Sequence, residues 1–239
     1  MKYENIVKAE FISRPNRFIA RVLLDGREET VHVKNTGRCR ELLVPGAAVY
    51  LERGSNPARK TAFDLVTVEK IMPDGSTNPV NMDSQAPNRI AAEWISGNRE
   101  LFPGIIELRP EFKVGKSRFD FFIRYRDVSG TERKMLLEVK GCTLEKEGTA
   151  MFPDAPTERG ARHMRELAEL ARSGEYLCGV LIVIQMKGCS RFIPNRETDP
   201  AFADALKAAS EAGVRIMAVD CRVVPGTVTA DASVPVILV

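Results

Sequence analysis

The residues of this chain best suited to chemistry are two carboxylates and a lysine that interrupt apolar runs. Asp120 lies within Ser117–Ile123, and Glu138 and Lys140 lie within Met135–Lys140. An ionised group inside an apolar strand costs on the order of several kcal/mol unless it is paired or binds a metal. Two carboxylates and a lysine on one face suit a divalent cation with oxygen ligands and a nearby activated water.

Strand geometry predicts that these three groups converge. Alternate residues of a strand share a face, so Glu138 and Lys140 point the same way and Val139 points to the opposite face. Asp120 is expected on the face opposite its two phenylalanine neighbours. The turn signal Asp127–Gly130 predicts a hairpin that brings Asp120 beside Glu138. The same spacing also fits an ion pair on a solvated sheet face, because Glu-x-Lys occurs often by chance.

The segment that follows Lys140 favours a buried site over that alternative. Gly141–Leu144 ends the strand, and a turn rich in glycine, proline and aspartate follows at Gly148–Pro156. A helix is predicted from about Thr157, and it carries charged residues and a histidine: Glu158, Arg159, Arg162, His163 and Arg165. The near-continuous apolar run Leu177–Gln185 is typical of a buried strand.

The first third of the chain predicts a small barrel. Residues 5–72 contain five runs of strand composition separated by turn signals: Ile6–Ile12, Phe18–Leu24, Glu29–Val33, Ala48–Glu52 and Leu65–Ile71. Gly37–Leu43 is predicted as a short helix between the third and fourth strands. This order matches the Greek-key barrel called the OB-fold, which commonly binds oligonucleotides, although a fold alone does not establish a function.

Arginine dominates the charged residues between positions 14 and 40. Arg14, Arg17, Arg38 and Arg40 lie in or beside the turns of the predicted barrel, and the guanidinium fork suits phosphate. The alternative is a solvated barrel surface with no ligand. The net charge of +3 is mild and by itself argues nothing about nucleic acid.

The rest of the chain predicts a mixed α/β arrangement. Pro73–Pro79 has the composition of a linker, and we expect one domain at 1–82 and a second at 83–239. The further elements predicted for the second domain are a helix at Pro87–Ser96, strands at Ile106–Phe112, Arg118–Tyr125 and Lys134–Lys140, a helix at Asp199–Ala212, a strand at Val214–Val219 and an edge strand in the tail Val223–Val239.

Composition disfavours several classes of protein. No apolar stretch reaches membrane-spanning length and residues 1–20 lack the apolar core of a signal peptide, so we expect a cytoplasmic protein with no membrane partner. The five cysteines are scattered without a Cys-x-x-Cys pair, which predicts reduced thiols. Only two histidines are present, which argues against a histidine-rich zinc site or a Ser-His-Asp triad.

Asp120 followed by Glu138-x-Lys140 resembles the PD-(D/E)xK nuclease superfamily, although Phe119 stands where the name motif has proline. The resemblance implies a restriction-endonuclease-like α/β domain. In that superfamily the Asp and Glu hold Mg²⁺, and the Lys positions or activates the attacking water. The catalytic residues would then be Asp120, Glu138 and Lys140, the metal ligands Asp120, Glu138 and the carbonyl of Val139, and the cofactor Mg²⁺ or Mn²⁺.

The whole chain is also similar to the bacterial sugar fermentation stimulation protein A family. The strings that carry the likeness span most of the chain: Arg14–Phe18, Asn35–Cys39, Asn56–Thr61, Asp83–Asn88, Ser117–Phe121, Glu138–Gly141 and Phe152–Gly160. That family is described as DNA-binding, with an OB-like first domain and a nuclease-like second one. The resemblance implies largely sequence-independent DNA binding, and the link to sugar metabolism is a phenotype that specifies no chemistry.

The expected function is therefore DNA binding with metal-dependent phosphodiester hydrolysis. The predicted DNA-binding residues are Arg14, Arg17, Arg38, Arg40, Arg59 and Lys60. Further candidates are Glu93 as an outer metal contact, Arg159, His163 and Gln185 at a phosphate, and the string Phe152–Gly160 as a loop that feeds a phosphate-facing helix N-terminus. The alternative is a non-catalytic DNA-binding regulator of sugar metabolism. RNA stays open as a substrate, because nothing in the pattern reads a 2′-hydroxyl.

Overall fold

The first half of the chain folds into a closed barrel. The computed structural model describes residues 1–35, 37–56 and 58–238; Thr36, Pro57 and Val239, which belong to segments named above, lie outside these ranges. The strands are β1 (Ile6–Asn16), β2 (Ile19–Leu24), β3 (Arg27–Val33), β4 (Ala48–Arg53), β5 (Phe63–Ile71) and β6 (Thr77–Asn81). They lie in the order β3-β2-β1-β4-β5-β6, and β3 also pairs with β5, which closes β1–β5 into a barrel. The predicted OB-like barrel is confirmed.

The barrel closes around an apolar interior because its strands alternate. In β2, Ala20 and Val22 are fully buried, while Arg21 between them is exposed. Successive side chains of a strand point to opposite faces, so this pattern turns one face inward. The long strand β1 pairs with β2 on one side and with β4 on the other, and so belongs to both halves of the barrel wall.

The second half is built on a mixed six-stranded sheet in the order β15-β14-β12-β9-β8-β7. The elements, in chain order, are α1 (Ala86–Gly97), β7 (Gly104–Val114), β8 (Ser117–Arg126), β9 (Glu132–Cys142), β10 (Leu144–Lys146), β11 (Thr149–Phe152), α2 (Glu158–Ser173), β12 (Leu177–Ile184), β13 (Arg191–Pro194), α3 (Pro200–Glu211), β14 (Arg215–Val224) and β15 (Thr227–Ser233). β12 runs parallel to β9 and β14 at the centre of this sheet.

Helices cover both faces of the large sheet. α2 and α3 pack in the apolar cluster that contains Leu136 and Val180, and α1 packs in the cluster that contains Leu137 and Leu181. β9 and β12 are therefore covered on both faces, and for β12 the near-continuous apolar run predicts this. None of the helices in the described ranges is long and apolar enough to cross a membrane.

Three short strands are absent from the sequence-based prediction. β10, β11 and β13 form a separate sheet in that order, and β11 lies inside the stretch 148–156 that composition predicts as a turn. These strands have only three or four residues each. That is too short for alternation to distinguish a strand from a loop.

The helix predicted at 37–43 is wrong. These residues form turns, in which the carbonyl of Cys39 accepts two backbone amides. A helix would need the carbonyls of Gly37 and Arg38 for its own amides. Both carbonyls accept instead from the guanidinium of Arg14, each at 2.8 Å. Arg14 lies in β1, so this contact cannot be predicted from the sequence of residues 37–43 alone.

The predicted linker Pro73–Pro79 is part of the barrel sheet. Its first residues form a hairpin turn, and its last residues begin β6, which pairs with β5. β6 is an edge strand of its sheet, a position that tolerates proline. The junction with the second half comes just after β6, where Gln185 Nε2 donates to the carbonyls of Asn81 and Asp83 at 3.1 and 3.0 Å.

Other contacts also join the two halves. Met1 and Tyr3 are buried in the cluster of α1 and β15, so the first residues of the chain pack on the second half. Lys70 of β5 forms an ion pair with the Glu145 carboxylate of β10 and donates to the Glu145 carbonyl at 3.0 Å. These contacts hold the barrel and the α/β half in one arrangement.

Candidate functional site

Asp120 lies where the pairing of β8 with β9 ends. The ladder between these strands stops at Phe121–Leu137, and one residue further Asp120 Oδ2 accepts the Val139 N–H at 2.7 Å. The Asp120 side chain thus takes the place of a backbone hydrogen bond between β8 and β9. Asp120 Oδ1 accepts from Asn88 Nδ2 at 2.8 Å, a contact from the first turns of α1. The predicted hairpin brings Asp120 to β9, and Asn88 is a partner that no spacing rule identifies.

The alternation expected around Asp120 is wrong. Phe119 belongs to the apolar cluster under α2, and Phe121 belongs to the cluster under α1, so these two neighbours of Asp120 do not share a face. The residues of β8 before Phe121 lack the ladder with β9. Without that ladder the strand turns relative to the sheet, and strict alternation fails.

Glu138 and Lys140 share a face of β9, as predicted, and they are in direct contact. Lys140 Nζ donates to Glu138 Oε1 at 2.6 Å. The same oxygen lies 2.6 Å from His163 Nδ1, because α2 packs on the face of the sheet to which Glu138 points. His163 and Glu138 are both buried. His163 therefore joins the site through Glu138.

The second oxygen of Glu138 has no partner. Glu138 Oε2 is buried and accepts no hydrogen bond from any described residue. Burial acts to raise the pKa of Glu138, but the hydrogen bond from His163 and the charge of Lys140 outweigh it, so this pKa lies below its ordinary value. A bound cation would give the buried, unpartnered oxygen of this ionised carboxylate a partner.

Asp120 shows the opposite electrostatic response. Burial and then the charge of Glu138 raise the pKa of Asp120 above its ordinary value, and hydrogen bonds from Val139 and Asn88 offset only part of this. Two neighbouring carboxylates that repel each other suit a divalent cation. Within the described ranges no cluster of three or more His, Cys, Asp or Glu residues is able to hold a metal. A cation here would rely on these two carboxylates together with carbonyl or water oxygens.

A basic groove borders this site at the start of α2. Its volume is about 470 Å³, and its lining includes His163 and four cationic side chains, namely Lys116, Arg118, Arg159 and Arg162. All four cationic residues are exposed. Arg159 is a candidate from the sequence, whereas Lys116 lies in the turn before β8 and Arg118 lies at the start of β8, and neither is among the predicted site residues. The groove has the charge and the position to bind phosphates beside Glu138.

The loop before α2 contacts both the helix and the barrel. Thr157 caps α2, since its hydroxyl accepts the Gly160 N–H at 3.0 Å. Three residues earlier, Asp154 Oδ2 accepts the Arg38 N–H at 3.2 Å. The loop predicted to feed a phosphate-facing helix therefore also fixes the position of a barrel loop relative to the site.

The barrel presents a second basic groove, of about 290 Å³, lined by Arg14, Arg17, Arg38 and Arg40. The last three residues are exposed. The terminal nitrogens of Arg14 instead donate to four backbone carbonyls at 2.6 to 2.8 Å, those of Arg17, Asn35, Gly37 and Arg38. The terminal nitrogens of Arg14 are thereby occupied, and Arg14 organises the groove; its contact with phosphate stays a prediction.

Arg59 and Lys60 differ in availability. Arg59 donates to both oxygens of the buried Asp64, with Nη1 2.9 Å from Oδ2. His32 Nδ1 lies 2.9 Å from the same carboxylate. Lys60 is exposed. Of this predicted DNA-binding pair, Lys60 is available to an external anion and Arg59 is committed to a structural ion pair.

Glu93 and Gln185 also have structural partners. Glu93 Oε2 accepts from the Met1 amino group at 2.5 Å, and the contact of α1 with Asp120 comes from Asn88 instead. Gln185 is buried, and its side-chain amide donates into the junction after β6. We therefore assign neither residue to the cation or to a phosphate.

An OB barrel followed by a restriction-endonuclease-like α/β domain, with Asp, Glu and Lys at the end of a hairpin, defines a distinct class of two-part protein. Two family models match the chain in the same order. The SfsA N-terminal OB domain matches residues 12–74, and the sugar fermentation stimulation protein RE domain matches residues 85–227. The chain belongs to the sugar fermentation stimulation protein family.

Relatives cover the chain from end to end. It is 50% identical over 237 residues to the sugar fermentation stimulation protein homolog of Ruminiclostridium cellulolyticum, with 99% of each chain covered. Identity to the homolog of Desulfitobacterium hafniense strain Y51 is 47%, over 100% of this chain and 99% of that one. Among solved structures it is similar to Pyrococcus furiosus SfsA in complex with Ca²⁺, with a TM-score of 0.83, 29% identity and coverage of 99% and 97%.

Proposed function

We propose that this protein binds DNA through its two basic grooves and hydrolyses phosphodiester bonds at Asp120, Glu138 and Lys140, with Mg²⁺ or Mn²⁺ as cofactor. The observation that carries the proposal is the buried, unpartnered Glu138 Oε2 next to Asp120, whose pKa is raised. The large majority of buried side-chain oxygens in folded proteins have a hydrogen-bond partner, so an unpartnered one beside a second carboxylate needs an explanation. A cation site needs one oxygen of the glutamate available.

The donor set suits an oxygen-preferring cation. Asp120 and Glu138 would hold it, with the carbonyl of Val139 as a third oxygen ligand. When bound, Mg²⁺ or Mn²⁺ would supply a water of lowered pKa and would neutralise charge on the phosphate. The Pyrococcus furiosus relative was solved with Ca²⁺, which prefers oxygen ligands as Mg²⁺ does, and this supports the choice of cation class.

Two neighbouring residues prepare the site for this chemistry. The Lys140 side chain is 16% exposed and its ammonium touches Glu138. It therefore lies at the mouth of the site, where it orients the attacking water and stabilises developing negative charge. His163 holds Glu138 Oε1 from the α2 side. With that oxygen fixed, Oε2 keeps one orientation, and His163 acts as a positioning residue.

DNA would be held mainly through its phosphates. Exposed cationic residues line two grooves, one on the barrel and one at the start of α2, and the loop with Asp154 and Thr157 touches the elements of both. Contacts to phosphates position a duplex or strand without reading its sequence. We therefore infer binding that is largely independent of sequence.

The test of the proposed function is cleavage of plasmid and of linear single- and double-stranded DNA, with RNA in parallel, in Mg²⁺, in Mn²⁺ and in EDTA. Wild type and Glu138→Gln are purified identically. We expect cleavage by wild type that requires the metal and is lost in Glu138→Gln. If wild type cuts nothing with either metal, or if Glu138→Gln cuts equally well, the nuclease reading fails. A DNA-binding protein without catalysis would then be the remaining reading.

Replacing Arg17 and Arg38 together by alanine should weaken binding to all DNA sequences alike. Both side chains are exposed in the barrel groove, and each phosphate contact that is lost lowers the slope of log affinity against log salt by about 0.9. The double variant should therefore reduce the slope by about 2. Fluorescence anisotropy with a labelled duplex in EDTA, over a series of salt concentrations, measures both quantities.

The matched control removes the same charge elsewhere. Arg133 and Arg222 are partly exposed arginines outside both grooves, and their double alanine variant should leave the salt slope unchanged. Equal weakening by the two double variants would point to net charge alone and would remove the barrel groove from the proposal.

A further inference from the structure

Phe18 carries the one exposed aromatic side chain among the described residues. The residue is 55% exposed, whereas the other aromatic residues in the described ranges are buried or half-buried. None of the ring–ring or cation–ring contacts within these ranges involves it. A ligand that covers a large apolar ring removes apolar surface from water, which favours binding.

The backbone on both sides of Phe18 is fixed. Its N–H donates to Asn16 Oδ1 at 2.9 Å, and its carbonyl accepts the Val33 N–H at 2.7 Å. Arg14 secures the same turn by donating to the Arg17 carbonyl at 2.7 Å. The ring is therefore presented by a pre-organised turn, and such a group loses little conformational freedom when a ligand covers it.

The chemistry next to Phe18 is cationic. The preceding residue, Arg17, lines the barrel groove together with Arg38 and Arg40, and all three are exposed. An exposed ring on the residue that follows a groove arginine is a combination that suits single-stranded nucleic acid. Its bases stack on aromatic rings, and its phosphates pair with cations.

We propose that the barrel binds an unpaired stretch of nucleic acid, with one base stacked on Phe18 and the adjoining phosphates in the groove of Arg17, Arg38 and Arg40. That the ligand is a nucleic acid rests on the proposed function. The new part of the inference is that the barrel prefers the single-stranded form. In a duplex the neighbouring base pairs cover the faces of each base, and exposing one requires unstacking. Phe18 therefore distinguishes single strands from duplexes, which the arginines alone do not.

The experiment compares three ligands of equal length by fluorescence anisotropy, at one salt concentration and in EDTA so that no cleavage occurs. They are a labelled single strand without self-complementary segments, a hairpin duplex of the same base composition whose loop is a non-nucleotide linker, and a single strand whose bases are replaced by abasic sites. The proteins are wild type, Phe18→Ala and Phe18→Trp. Ile71→Ala is the matched control, since Ile71 is an apolar residue 51% exposed on the same barrel.

Phe18→Ala should weaken binding of the normal single strand by about 5- to 150-fold, the range that stacking of one base on an aromatic ring supports. Its affinity for the hairpin and for the abasic strand should stay within about twofold of wild type, because phosphate contacts are unchanged. Phe18→Trp should restore binding of the normal strand. Ile71→Ala should resemble wild type on all three ligands.

Equal losses on all three ligands would show that Phe18 only supports the turn, and an unchanged affinity for the normal strand would show that its ring is not used; either result overturns the proposal. If wild type binds none of the ligands, the proposal fails together with the DNA-binding part of the proposed function. If the protein binds nucleic acid but does not cleave it, the binding differences at Phe18 are still expected. Failure of the nuclease proposal can therefore be distinguished from failure of the Phe18 proposal.

Discussion

Replacing Lys140 by alanine should lower metal-dependent DNA cleavage by about two to four orders of magnitude, the usual scale for a positioned acid–base or electrostatic group. Lys140 Nζ lies 2.6 Å from Glu138 Oε1 and reaches the mouth of the site, so its loss removes the group that orients water and stabilises developing charge. DNA affinity should change far less, because the proposal assigns most phosphate contacts to the exposed cationic residues of the two grooves. Initial rates of plasmid nicking in Mg²⁺ or Mn²⁺, measured beside affinity in EDTA, separate the two effects.

Two further variants sharpen this result. Lys140→Arg should not restore the rate, because the planar guanidinium is larger than an ammonium and does not deprotonate. Lys134→Ala removes an exposed lysine from the same strand, outside the site, and should cleave at the wild-type rate. Cleavage by Lys140→Ala at the wild-type rate would contradict the role given to Lys140, and the cleavage would then have to come from other groups.

The local part of the site could be predicted from sequence because it depends on short-range rules. Two β-forming runs joined by a turn signal form the hairpin of β8 and β9. The period of two places Glu138 and Lys140 on one face of β9, where they are in contact. The barrel followed by an α/β half could be predicted for the same reason, since each long strand or helix carries its own periodicity.

The parts that could not be predicted depend on contacts between distant segments. Asn88 reaches Asp120 from α1, and His163 reaches Glu138 from α2. Neither partner follows from spacing, because their positions depend on how the helices pack on the sheet. The string Asp83–Asn88 contains Asn88, but a string shared with a family marks a position without stating its contact.

Arg14 and Gln185 show the same limit in the opposite direction. Both have side chains that suit a phosphate, yet both are occupied by backbone carbonyls of distant loops. A residue type indicates which ligands a side chain is able to bind. Whether the folded chain has already satisfied that side chain depends on tertiary contacts, and in both residues those contacts serve the barrel loop or the junction.

The contacts between the two halves give the inferred DNA surface its rigidity. Arg38 in the barrel groove is fixed through its backbone by Asp154, and Asp154 lies three residues before the cap of α2 at Thr157. DNA bound to the barrel groove, as proposed, would therefore have a defined position relative to the carboxylates of the sheet. Non-specific binding alone would not require such a connection, whereas cleavage benefits from a substrate held in a defined position.

Asp120→Asn should abolish most of the thermal stabilisation that Mg²⁺ or Mn²⁺ confers. A ligand that binds only the folded protein at 100 times its Kd stabilises it by about 2.7 kcal/mol, which corresponds to a rise in Tm of about 5 to 11 °C for a chain of this size. Without metal, burial and the charge of Glu138 both disfavour the ionised carboxylate of Asp120, and its pKa is raised for this reason. The metal-free Asn variant should therefore melt slightly above metal-free wild type. Scanning calorimetry with and without metal measures both shifts.

The control variant is Glu211→Gln, which removes an exposed carboxylate at the end of α3 and should keep the full metal response. If the metal raises the Tm of Asp120→Asn as much as that of wild type, the bound cation lies elsewhere.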